Sequence, residues 1–145
     1  ISWKDACAAP SDLCIKWGQV KRPARAIEKT IRSYKNDVSF LVDLARESVV
    51  FQCVQDLITC LRVIGMDPEI RVLRIKNRLD PDHDSWKSLG YRDVSLNIQI
   101  CTDETTKFSC NRHVAEIQLL LKPFAEKKSN EGHQRYVAYR NMMAE

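Results

Sequence analysis

The apolar positions change period several times along the chain, and each change marks an element. Over 23–34, Ala26, Ile27, Thr30 and Ile31 recur at helical spacing behind Pro23, a residue suited to the first turn, so a helix is predicted there. Lys35-Asn36-Asp37 reads as a polar turn, and Ser48-Val49-Val50-Phe51-Gln52 as a short strand. Val54, Leu57, Ile58, Leu61 and Ile64 then follow the i, i+3, i+4, i+7 rule of an amphipathic helix. Gly65 is expected to end it and Pro68 to prevent its continuation.

Strict alternation follows. Over 72–79, Leu73 and Ile75 are expected on one face and Arg74, Lys76 and Arg78 on the other. Over 93–101, Val94, Leu96, Ile98 and Ile100 alternate with Asp93, Ser95, Asn97 and Gln99. A strand over 114–121 carries Ala115, Ile117 and Leu119 opposite Glu116 and Gln118, and Pro123 opens a charged helix toward Met143. Residues 80–90, rich in Asp, Pro and Ser, are expected to form a surface loop. The order of helices and strands predicts an α+β fold, a mixed and mostly antiparallel sheet with helices packed on its apolar face. An N-terminal helical segment is expected over 1–19, broken at Pro10-Ser11-Asp12, ahead of a single domain over 20–145.

Composition agrees with one globular domain. The 145 residues are 44% hydrophobic and 29% charged, with four Gly and five Pro, which excludes a collagenous, low-complexity or disordered chain. No apolar run approaches the roughly 20 residues a membrane span needs, and the first residues lack the basic-then-apolar order of a signal peptide. Six cysteines without a Cys-x-x-Cys pair, and three scattered histidines, favour free thiols over disulfides or a metal site, hence an intracellular setting, cytoplasmic or organellar. Cys53 and Cys60 are expected on the 53–65 helix, two turns apart and unable to bridge. The net charge of +4 and a pI near 8.8 do not by themselves indicate a nucleic-acid partner.

The placement of charge says more. Arg74, Lys76 and Arg78 form a cationic row at strand spacing, with Glu116 and Gln118 on a nearby strand and Gly90-Tyr91 between them. Such a face suits a polyphosphate, and a tyrosine beside it offers a flat surface to a base. Cross-strand ion pairs on a solvated face account for the same spacing. Asp43 reads equally as a metal-binding carboxylate or as a turn cap, and His133 with Tyr136, at i and i+3, as surface or site residues.

The segments Gly90-Tyr91-Arg92-Asp93-Val94, Glu116-Ile117-Gln118 and Ala125-Glu126 … Gly132-His133 … Tyr136 together resemble the RelA/SpoT-type alarmone synthetase domain. Lys76-Asn77-Arg78 and Gly132-His133 resemble a divergent branch of that family. Arg22-Pro23-Ala24-Arg25-Ala26-Ile27-Glu28-Lys29 resembles its basic-x-x-x-Ser-Ile-x-Lys helix, and Asp43-Leu44 its Asp-Leu strand. The resemblance runs in order over about 20–140. It implies a nucleotidyltransferase-like fold and transfer of pyrophosphate from ATP to the 3′-hydroxyl of GDP or GTP with Mg²⁺. It places Asp43 and Glu116 at the metal, with Glu116 also a candidate base. Tyr91 would stack on guanine, Lys29, Arg74, Lys76 and Lys87 would meet phosphates, and His133 would belong to the acceptor side, with Arg22, Arg46 and Gln118 as further nucleotide-binding candidates. Departures from the pattern cluster on the donor side: Val20 for Arg, Arg22 for Lys, Ala26 for Ser, Ser48 for Arg, with Arg46 two residues earlier. Leu89 replaces the Asn before Gly-Tyr, and Ser95 replaces a His. The expectation is a nucleotide-binding or structural subunit of a larger assembly, catalytically weakened or silent. An active ATP-dependent pyrophosphotransferase and a basic RNA-associated module are the alternatives.

Overall fold

The computed structural model describes residues 20–88 and 90–126. Helix α1 spans Pro23–Tyr34, with proline in its first turn. It ends where Lys35 turns left-handed (φ 49°) and returns its N–H to Thr30 O. A short 3-10 turn, Val38–Phe40, is capped by the Asp37 side chain and leads into strand β1, Arg46–Phe51. Helix α2, Val54–Met66, carries Asp56 in its first turn, where the helix dipole favours it. It runs one residue past Gly65. The stop comes from Pro68, which drives Asp67 into an extended conformation.

Strands β2 (Ile70–Asn77), β3 (Val94–Ile100) and β4 (Ala115–Leu121) complete a four-stranded sheet of order β1-β4-β3-β2. β1 pairs parallel with β4, and the other two pairings are antiparallel. β1 and β2 therefore form opposite edges, and α2 crosses from one to the other over one face. A short helix α3, Asp103–Lys107, interrupts the β3–β4 connection, held by a reciprocal cap between Thr102 and Thr105. Helix α4 covers Lys122–Glu126, the described start of the helix expected toward Met143. The rest of that helix and the 1–19 segment lie outside the described residues.

The core lies between α2 and the sheet. Leu57 and Ile64 pack on Val94, Leu96, Ile98 and Leu119, bordered by Phe51, Leu61, Val72 and Ile117. Burying a side chain such as Leu96, 1% exposed, contributes about 1.5–3 kcal/mol. The expected apolar set is corrected at three positions. A bulge in β2 lets Val72 face Ile98 and Arg74 face Asn97, so Leu73 becomes the extra residue and is exposed. Ile75 keeps its expected face opposite Leu96 but sits on the edge strand, and Ile100 closes the end of β3; both are exposed. Helix α1 is also corrected. It contributes nothing to this core, and only Ala26 and Thr30 of its apolar stripe are buried, with Ile27 and Ile31 exposed. Cys53, Cys60, Cys101 and Cys110 are free thiols, as expected, while Cys7 and Cys14 lie outside the described residues. No described helix is long and apolar enough to cross a membrane.

Candidate functional site

The sheet face opposite α2 is polar because residues two apart on each strand share it, and the register aligns them across all four strands. One row reads Arg46, Glu116, Asn97, Arg74; the next reads Ser48, Gln118, Ser95, Lys76. Gln118 is buried and donates through Nε2 to Glu116 Oε1 at 2.9 Å, while its own oxygen accepts from Ser48 Oγ at 3.3 Å. Glu116 is thereby oriented on one oxygen. The Asn97 amide nitrogen, beside it on β3, is buried without a hydrogen-bond partner among the described residues.

The chain before β1, tied to β4, holds a second carboxylate. Glu116 N–H donates to Ala45 O at 2.9 Å, two residues beyond Asp43. Asp43 is 6% exposed. Its Oδ2 accepts from both Lys21 Nζ and Lys29 Nζ, the latter at 3.0 Å, and its Oδ1 is buried without a partner among the described residues. Lys21 is fixed by its own backbone, whose N–H donates to Leu44 O at 2.8 Å. Burial pushes the Asp43 carboxyl up, but the two lysine hydrogen bonds outweigh it and hold the group below the ordinary carboxylate range. Burial lowers the Lys21 pKa, with Lys29 and Arg46 adding like charge, only partly offset by Asp43. Lys29 goes up despite burial, because Tyr34 and Asp43 hold its charged form.

The 78–93 segment sets Tyr91. Arg92 ties the end of the loop to its start through the carbonyls of Arg78 and Asp80, Ser88 Oγ donates to Tyr91 O at 2.8 Å, and Gly90 (φ 77°) allows the turn. Arg78 forms an ion pair with the fully buried Asp93 and lies 5.9 Å from the Tyr91 ring centroid. Burial, and then Asp93, raise the Tyr91 hydroxyl well above its ordinary range, so it stays protonated. Lys76 is lowered by burial and by Arg78 and Arg74, with Asp93 and Glu116 opposing.

The expected residues therefore divide. Asp43 and Lys29 meet directly, and Arg46, Arg74, Lys76, Glu116 and Gln118 share the open face, with Tyr91 on the loop beside β3. Arg22 does not join them: it is the exposed N-cap of α1, and Arg25 turns outward to Glu28. The Lys87 side chain and His133 lie outside the described residues. Two residues were missed. Lys21 had a detectable signal, a lysine one position from the expected basic residue, but only the fold shows which of Lys21 and Arg22 turns inward. Asn97 reads in the sequence as one more polar position of an alternating strand.

Asp43 and Glu116 each offer the type of ligand that Mg²⁺ takes. Two carboxylates, one with an unpartnered buried oxygen and one with an oxygen left over, are hard oxygen ligands, and Mg²⁺ is commonly held by one or two carboxylates plus substrate phosphates. No cluster of three or more metal-binding side chains occurs among the described residues.

No protein-family model matches the sequence, and no curated protein matches it. Solved structures do. Small alarmone synthetase 1 from Bacillus subtilis, bound to its product pppGpp, superposes with a TM-score of 0.68 at 20% identity over 86% of this chain and 62% of its own. A GTP pyrophosphokinase family protein from Streptococcus pneumoniae gives 0.65 at 20% identity, over 86% and 59%. Small alarmone synthetase 2 from B. subtilis gives 0.62 at 20% identity, over 86% and 62%. The chain carries the RelA/SpoT-like synthetase fold and spans about three fifths of the length of these proteins.

Proposed function

From that fold and that face we propose that the chain binds a guanine nucleotide and acts as a pyrophosphotransferase, with ATP as donor and GDP or GTP as acceptor. The observation that carries the reading is the buried Asp43 carboxylate, held by Lys21 and Lys29 with one oxygen unpartnered among the described residues, three positions before Arg46, which pairs in register with Glu116. Lys21, drawn to Asp43, supports a donor side that Val20 and Ala26 were expected to deplete. Phosphoryl transfer asks mainly for positioned cations, a metal and a base. Lys21, Lys29 and Arg46 would hold the donor phosphates. Arg74 and Lys76 would hold those of the acceptor, and Tyr91 would pack against its base. Glu116, kept in place by Gln118, would take the proton of the attacking 3′-hydroxyl. Mg²⁺ on Asp43 and Glu116 would neutralise charge developing on the transferred phosphates.

A second reading, a silent nucleotide-binding or structural domain of the same fold, is favoured by Arg22 and Arg25 facing outward. One experiment separates the two. The protein is incubated with Mg²⁺, ATP labelled in its β,γ-pyrophosphate, and GDP or GTP. Label appearing on the guanine nucleotide, and lost in Glu116→Gln, supports the enzyme. No transfer at any protein concentration, with a guanine-nucleotide thermal shift retained, supports the silent domain.

A further inference from the structure

Asn97 lies on β3 between Glu116 on β4 and Arg74 on β2, all three in one cross-strand row of the open face. Its Nδ2 is buried and has no hydrogen-bond partner among the described residues. Buried amide donors are nearly always satisfied, so an unsatisfied one on a ligand-facing surface is a position where a ligand can supply the acceptor. The neighbours indicate which acceptor. Gln118 occupies Glu116 Oε1, which leaves the other oxygen for a ligand hydroxyl. The β1 side of Glu116 holds Arg46 in register, with Asp43 three positions before it and Lys21 and Lys29 on Asp43, the side assigned above to the donor phosphates. The β3 side, one strand spacing of about 4.8 Å away, is left for the oxygen adjoining the reacting one. A phosphate is better placed one strand further, against Arg74 and Lys76, away from the Glu116 carboxylate.

In a ribose, the oxygen adjoining the 3′-hydroxyl is the 2′-hydroxyl. We propose that Asn97 Nδ2 donates a hydrogen bond to the 2′-oxygen of the acceptor nucleotide and makes the site selective for ribonucleotides over 2′-deoxyribonucleotides. Without that oxygen the amide stays buried and unpaired, and sites of this kind reject the deoxy analogue strongly. The inference rests on the function proposed above, because it requires Glu116 to face the acceptor's 3′-hydroxyl.

Calorimetric titration of the full chain with GDP and with 2′-deoxy-GDP tests it without turnover. The wild type should bind GDP at least about tenfold more tightly, about 1.4 kcal/mol. Asn97→Ala should bring the two ligands within about twofold by weakening GDP alone, and Asn97→Thr, which keeps a donor, should retain part of the preference. The melting temperature of free Asn97→Ala should not fall, since an unsatisfied donor is removed. Equal binding of both nucleotides by the wild type, or a preference that survives in Asn97→Ala, overturns the role of Asn97 while leaving guanine-nucleotide binding intact. Failure of the wild type to bind GDP at all overturns both.

Discussion

Replacing Asp43 by Asn tests the electrostatics of the site without changing its shape. The wild-type carboxylate is 8% exposed at its side chain and is shared by two ammonium groups, Lys21 at 17% and Lys29 at 28%. Breaking a fully buried pair by removing one partner costs about 3–5 kcal/mol. The lysines are partly solvated, and an amide oxygen still accepts a hydrogen bond, so the expected loss here is about 1–3 kcal/mol. For a domain of this size that is a drop of about 4–12 °C in melting temperature. Urea denaturation across pH isolates the charge. The folded-state pKa of Asp43 lies below its ordinary 3.8, so its stabilisation is complete above that value and is lost as pH falls through the folded one. The gap between wild type and variant should therefore be full at pH 7 and close as pH drops below about 4. Inorganic tripolyphosphate should stabilise the variant at least as much as the wild type, because Lys21 and Lys29 are released to meet it. A variant as stable as wild type within about 0.5 kcal/mol, with no pH dependence in the gap, would refute the reasoning.

Two further outcomes follow from the same geometry. Lys21→Ala should weaken binding of inorganic tripolyphosphate about tenfold, whereas Arg22→Ala, at the exposed N-cap of α1, should leave it within about twofold; the reverse order in a titration would move the donor cradle to Arg22. Leu96→Ala, in the centre of the α2-facing core, should cost about 2–5 kcal/mol in urea denaturation, and a loss under 1 kcal/mol would mean that the core is not where Leu57, Ile64 and Leu119 place it.

The elements themselves were legible because local chemistry decides them. Pro23 starts α1, Pro68 stops α2, and the alternation over 94–100 and 115–121 stands where expected. Helix α3 went unread. Its cap runs between two threonines, Thr102 and Thr105, where the familiar signal ends in Glu or Gln. The β2 bulge was equally invisible, since period-two alternation carries no mark of an inserted residue. It exchanged Leu73 for Val72 in the core yet kept Arg74 and Lys76 on the open face.

The site shows the same division. From sequence alone came its inventory: Asp43, Glu116, Gln118, the Arg74 and Lys76 row, and Tyr91 after Gly90, together with a resemblance to alarmone synthetases that the fold bears out. Residue type and spacing determine that much, because they set what chemistry each segment can present and to which side of its strand. Tertiary structure alone decided that β1 lies against β4, which places Arg46 opposite Glu116, and that Lys21 rather than Arg22 turns to Asp43. Pairing between strands 70 residues apart, and the choice between adjacent cations at a helix entrance, depend on how α1 and the chain before β1 close against the sheet. A one-residue step in that closure reverses which side chain is buried, and only the closed fold specifies it.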